Sequence, residues 1–147
     1  MRGFLLMAVA CMGLAGCAHV GRGSTWVDPS MAVQLAAAAG PQRGVDGVFA
    51  LTVRASGNAD GRLYLNSQSD YRDPRNLSIS IGPDALQEMV AQYGADPGAA
   101  LKGRAILVRG TARLVRIGFV ADGRRVSDKY YYQTHVRVDD ATQLQLR

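Results

Sequence analysis

The stretch Asn76-Leu77-Ser78-Ile79-Ser80-Ile81-Gly82 alternates apolar and small polar residues without a break, and it limits the fold more than any other feature. A period of two puts Leu77, Ile79 and Ile81 on one face of a strand and Ser78 and Ser80 on the other. The same period recurs upstream. "VFALTV" aligns Phe49, Leu51 and Val53, and "RLYLN" turns Leu63 and Leu65 inward and Arg62, Tyr64 and Asn66 outward. The polar run "SQSDYRDPRN" separates this second strand from the third and is built of turn-forming residues.

After Gly82 the period becomes helical. Gly82-Pro83-Asp84 opens a helix in which Leu86, Met89, Val90 and Tyr93 fall at i, i+3, i+4 and i+7, and Gly94 ends it. "ADPGAALKG" leads back to strands. "RAILVRGTARLVRIGFV" is too long for one flat strand, so Gly110 predicts a bend or bulge. Asp122-Gly123 predicts a tight hairpin turn. The returning run "DKYYYQTHVRV" sets Tyr130, Tyr132, Thr134, Val136 and Val138 against Tyr131, Gln133, His135 and Arg137. "TQLQL" is a last alternating piece. The expected core is Phe49, Leu51, Leu63, Leu65, Leu77, Ile79, Ile81, Leu86, Val90, Val108 and Val136.

Three strands, one helix, then two or three strands is an order that resembles the OB-fold. "LKGRAILVRGTARLV" and "THVRVDDATQLQL" look like the fourth and fifth strands of bacterial OB-like domains of the tRNA-anticodon type. The resemblance implies a mainly β domain over residues 45–147, a five-stranded antiparallel Greek-key barrel with one helix between strands three and four. The alternative is an α+β domain with an open antiparallel sheet. OB barrels bind ligands across strands two and three, framed by neighbouring loops. Carried onto this chain, that selects Arg62, Tyr64 and Asn66, then Ser78 and Ser80. Tyr71, Arg72 and Arg75 in the adjoining loop and Arg124 and Arg125 in the hairpin complete the set. Tyrosines interleaved with arginines can stack on bases, sugars or peptide side chains.

The N-terminus carries an address. Met1-Arg2 is a short positive region, and Gly3 to Leu14 is an almost uninterrupted apolar run, shorter than the roughly 20 residues a spanning helix needs. Leu14-Ala15-Gly16-Cys17 resembles the bacterial lipobox, whose cysteine is acylated, with chains such as palmitate, and becomes the mature N-terminus. The resemblance implies a signal peptide over residues 1–16 and a lipidated tether over 17–27. Ala18 after the cysteine implies sorting to the outer membrane, facing the periplasm. With Cys11 removed and Cys17 acylated, no thiol is left for a disulfide. Residues 28–44 read as a short helix and linker: Asp28 caps, Pro29 starts, "SMAVQLAAAA" follows, and Gly40-Pro41 stops it. Being apolar almost all round, this helix is expected to dock on the domain.

The formal charge of +5 is uneven. Residues 17–101 hold six arginines against eight acids, whereas 102–147 hold ten lysines or arginines against four, which suits an anionic partner such as lipid headgroups, nucleic acid or an acidic protein surface. Nothing in the sequence assembles a catalyst. The only histidines are His19 and His135, and there is no nucleophile elbow and no phosphate-cradling loop. His135, Asp139 and Asp140 are close in sequence, but a strand ending in a turn would splay them, short of a metal's three or four convergent ligands. "DYRDPR" offers the residue types of a nuclease without matching a nuclease motif. The expectation is therefore a non-catalytic binding module, without cofactor or metal, that recognises another envelope macromolecule, a protein before nucleic acid. Its rivals are an immunity-type lipoprotein that blocks a toxic periplasmic enzyme and a structural subunit of an envelope machine.

Cys17→Ser is expected to leave a full-length precursor that takes up no clickable palmitate and no longer partitions with membranes. Continued labelling of the serine variant, read on a gel, would refute the lipobox.

Overall fold

The computed structural model describes residues 26–121 and 123–147. The expected signal peptide, Cys17 and most of the expected tether lie outside the described residues, as does Asp122 of the expected hairpin turn. Helix α1, Pro29–Ala39, starts where expected: the Asp28 side chain accepts the Met31 amide at 3.1 Å, and Pro29 occupies the first turn. It docks through Ala32 and Ala36, both fully buried, against the strands of the sheet. Side chains this small let the helix axis approach the strands closely.

Strands β1 (Gly44–Thr52), β2 (Ala55–Ala59), β3 (Arg62–Asn66) and β4 (Leu77–Ile81) precede helices α2 (Pro83–Tyr93) and α3 (Pro97–Leu101). Strands β5 (Ala105–Ala121), β6 (Arg124–Val138) and β7 (Leu144–Leu146) follow. The protein is mainly β. Its hydrogen-bonded order is β1-β5-β6-β4-β3-β2 with β7 beside β5, one sheet of seven strands that does not close.

Three features depart from the expected five antiparallel strands and single helix. First, β2 is an additional strand. Its sequence "ASGNA" has no apolar alternation, and it forms because Asp60 (φ 52°) and Gly61 (φ 72°) turn the chain directly into β3. Second, β4 runs parallel to β6, while the other paired strands are antiparallel. The long crossover through α2, α3 and β5 supplies the chain length that parallel pairing needs. Third, "ADPGAALKG" contains the short helix α3, capped by Asp96, which accepts the Ala99 amide at 2.9 Å.

The two ends of the sheet order, β1 and β2, are consecutive in the chain. Only Val53 and Arg54 separate them. Val53 still bonds the β5 side, through Arg104 and Gly103, whereas the Arg54 amide donates to the Asn66 carbonyl on β3 at 2.8 Å. The chain thus passes from one neighbour to the other within two residues.

No bulge occurs at Gly110. The register runs through Gly47↔Gly110 unbroken, and the irregularity in β5 lies between Gly118 and Val120. Gly110 answers a different need: a Cβ there would stand 2.8 Å from Val136 Cγ1. Opposite it the chain between β6 and β7 leaves the ladder in a 3₁₀ turn, Ala141–Gln143, and the Gln143 side chain fills the gap. Its Nε2 donates to the Arg109 and Arg137 carbonyls at 2.9 and 3.2 Å, and its Oε1 accepts the Asp139 and Asp140 amides.

The core holds Phe49, Leu51, Leu63, Leu65, Leu77, Ile79, Ile81, Val108 and Val136, as the alternation predicts. Helix α2 is rotated from expectation: Ala85 and Met89 are buried, Leu86 only borders the core, and Val90 is 39 % exposed. The i, i+4 pair that reaches inward is Ala85/Met89, because the small alanine admits the helix where leucine would hold it off.

Ile79→Ala is expected to cost about 2–5 kcal/mol, the range for emptying a fully buried aliphatic site. Val90→Ala should stay within about 0.5 kcal/mol. Urea midpoints of the two variants check both.

Candidate functional site

Pairing decides which outward side chains meet. In β3 the residues between Leu63 and Leu65 face away from the core, so Tyr64 does too. The β3–β4 register sets Tyr64 against Ser80 and Asn66 against Ser78, and the parallel β4–β6 register sets Ser78 against His135. Because the central strand carries only serines on this face, Tyr64 and His135 meet across it, edge to face, with ring centroids 5.9 Å apart.

This contact sits in a cleft of about 510 Å³. Tyr71 from the β3–β4 loop, Ile117 from β5, Gln133 from β6 and residues 55–59 of β2 complete its walls. Its described lining has no Asp, Glu, Lys or Arg. It is neutral, with aromatic, amide and hydroxyl groups.

The floor is a closed polar network. Asn76 Nδ2 donates to Asn66 Oδ1 (3.1 Å) and Ser78 Oγ (2.9 Å), and Ser78 Oγ donates to Asn66 Oδ1 at 2.7 Å. Ser67 Oγ accepts the Leu77 amide at 2.8 Å. Among the described residues no buried side-chain nitrogen or oxygen lacks a partner. Asn66 Oδ1 and Ser78 Oγ are therefore spent on fixing the loop over residues 67–76, and with it the position of Tyr71.

His135 is held neutral at pH 7. Burial lowers its pKa from 6.5 to about 4, and the Arg62 cation adds to the effect. Facing Gln133 Oε1 at 2.9 Å, its Nε2 carries the ring proton, and Gln133 Nε2 in turn donates to the Tyr131 hydroxyl at 2.9 Å.

Of the ten residues selected from sequence, Tyr64, Asn66, Tyr71 and Ser78 line the cleft. Arg62 and Ser80 lie beside it, bonded to each other: Arg62 Nε donates to Ser80 Oγ at 2.7 Å, and Arg62 also reaches Asp139 at 3.7 Å. Arg72 stacks on the Tyr71 ring at 4.4 Å, at the rim. Arg75 turns back on its own loop and pairs with Asp73 at 2.7 Å, and this hydrogen bond lowers the Asp73 carboxyl to about 2. Arg124 and Arg125 belong to the far end of the β5–β6 hairpin, seven and six residues before Tyr131 along β6. His135, Gln133 and Ile117 were not selected. The shared face of Gln133 and His135 was readable from the alternation in "YYYQTHVRV", but its placement beside Ser78 and Ile117 follows only from the strand pairing.

Among the described residues no three His, Cys, Asp or Glu side chains gather as a metal set. Asp139 pairs with Arg137 at 2.8 Å, and Asp140 caps the 3₁₀ turn. Compared with known proteins, the chain matches no family model and no curated protein sequence.

The imidazole gives the fold a pH dependence of defined sign. Between pH 6.5 and about 4 the unfolded chain binds a proton at His135 that the folded chain refuses. Stability is full above 6.5 and falls as the pH drops toward 4. His135→Gln is expected to flatten this part of the profile, measured as urea midpoint against pH. An unchanged slope would mean that the ring is solvated.

Proposed function

We propose that the chain is a lipid-anchored, non-catalytic binding module on the periplasmic face of the outer membrane, and that it recognises a protein of the envelope through the Tyr64–His135 cleft. The observation that carries this reading is the neutral cleft with a rigid floor. Aromatic walls, side-chain amides and a pinned imidazole suit an extended peptide segment bearing apolar side chains. A phosphate backbone would call for cations in the lining. His135, whose basicity burial lowers and whose Nε2 is engaged with Gln133, is a weak base for activating a nucleophile, and the described lining of the cleft holds no carboxylate to assist it.

The fold reading that supports this is an OB-type barrel. Counting β1 and β2 as one strand bent at Val53-Arg54, and β6 and β7 as one strand interrupted by the 3₁₀ turn, reduces seven strands to five. The neighbours of each are then those of a closed barrel in the order 1-2-3-5-4-1. Under that reading the cleft lies where OB barrels bind, across strands two and three beside the loop that joins four and five.

Capture of an envelope partner by the soluble domain is expected to weaken on Tyr71→Ala with an unchanged urea midpoint, because Tyr71 is exposed and forms a wall only. A wall aromatic in a buried interface is worth about 2 kcal/mol or more, roughly thirtyfold in affinity. Arg109→Glu, on β5 away from the cleft, should leave capture intact. Equal loss for Arg109→Glu and Arg72→Glu would show that binding follows overall charge, and no loss for Tyr71→Ala would remove the cleft from the interface.

A further inference from the structure

The hairpin of β5 and β6 outruns the sheet that carries it. β1 leaves β5 at Arg113, and β4 leaves β6 at Thr134, which are within one rung of each other. Beyond that level residues 114–121 and 124–133 pair only with one another, as an arm about 25 Å long. Two-stranded ribbons have no core of their own and are marginal in water.

This arm nevertheless carries half of the large apolar side chains that are exposed among the described residues: Phe119, Val120, Val126, Tyr130 and Tyr132. They occupy both faces. Phe119 leans on Tyr131 on one, and Tyr130 meets Tyr132 on the other, with Arg116 stacked 4.0 Å over the Tyr130 ring. Residues 114–133 hold four cations and two acids.

We infer that this arm seats its end in the headgroup layer of an anionic phospholipid bilayer. Three observations select that occupant. A protein surface would cover one face of the ribbon and leave the other wet, whereas a bilayer interface surrounds it. A second copy would bring two cationic arms together. The end of the arm sets Arg124 and Arg125 beside Phe119, Val120 and Val126, with tyrosines behind, and these are residue types that rest at headgroup depth, with apolar bodies in the boundary and cations at the phosphates. The inference does not rest on acylation at Cys17 or on the cleft.

The test uses the full chain carrying Cys11→Ser and Cys17→Ser, so that acylation plays no part, with a single environment-sensitive fluorophore at Val120→Cys or, as control, at Gln92→Cys on exposed α2. On vesicles with about one third phosphatidylglycerol the label at position 120 is expected to shift to the blue and to be quenched by lipid-borne quencher. On pure phosphatidylcholine it should do neither, and the label at position 92 should be silent on both. The N-terminal run, with Arg2 at its start, draws the whole chain to the anionic vesicle and so acts on both labels alike; the difference between positions 120 and 92 is what reads the arm. Arg116→Gln should weaken the response to the anionic vesicles about fivefold, as each cation near such a surface is worth about 1 kcal/mol. Equal responses on both vesicles, or none on either, would overturn the inference. A shift seen only with lipid-free envelope proteins would assign the arm to a protein partner and overturn it as well.

Discussion

Everything here depends on β4 being buried on both faces. It lies between β3 and β6, and all five of its residues are inaccessible. Leu77, Ile79 and Ile81 can meet that demand with apolar contacts, but Ser78 and Ser80 cannot. A buried hydroxyl without a partner costs about 1–3 kcal/mol, so each serine must be answered. Asn66 and Asn76 answer Ser78, and Arg62 answers Ser80. Those answers fix a loop on one side and an arginine on the other. The small size of the serines leaves the trough in which Tyr64 and His135 meet. One strand therefore specifies the core, the floor of the cleft and the placement of the wall that carries Tyr71.

A second constraint acts along β5. Its edge is used twice in succession, by β7 over Ile106 to Val108 and by β6 from Ala112 onward. Between them the chain detours, and Gln143 supplies with one amide the bonds that a continuous strand would have made. Gly110 is glycine because Val136 passes where a Cβ would be. Closing this gap lets β5 remain one continuous strand of 17 residues, and it is that length which carries the hairpin past its neighbours.

Much of this was legible because burial in a sheet is written with a period of two. Leu63/Leu65, Leu77/Ile79/Ile81 and Thr134/Val136/Val138 all face the core as their alternation requires. Three things escaped for physical reasons. Strand β2 is made by its turn and its partner, so its own residues hold no signal beyond Asp60-Gly61. The α2 face was misjudged because hydrophobicity favours leucine and valine, while close packing on a sheet favours the smaller Ala85. The parallel pairing of β4 with β6 is a long-range contact that no local pattern encodes, and the cleft is a product of that pairing. Sequence could therefore supply Tyr64 and Tyr71 but not the histidine between them.

The charge asymmetry of the chain reads differently once the strands are placed. From sequence, arginines and tyrosines on strands two and three and in the hairpin formed one basic aromatic face. In space they divide. The cleft lining is neutral, with Arg62 and Arg75 bound to neighbours and Arg72 at the rim, whereas the cations of residues 114–133 follow the arm. The two surfaces share β6, whose rungs fix their spacing. Ile117 closes the cleft, and the end of β5 at Ala121 stands four residues further, about 13 Å. Tyr131 joins them, bonded to Gln133 on the cleft side and stacked with Phe119 on the arm side. An arm end seated at a charged surface would thus hold whatever occupies the cleft at a set height above it, since no loop intervenes between the two. The basic third of the chain is then a matter of position, and the recognition of a partner is left to uncharged groups.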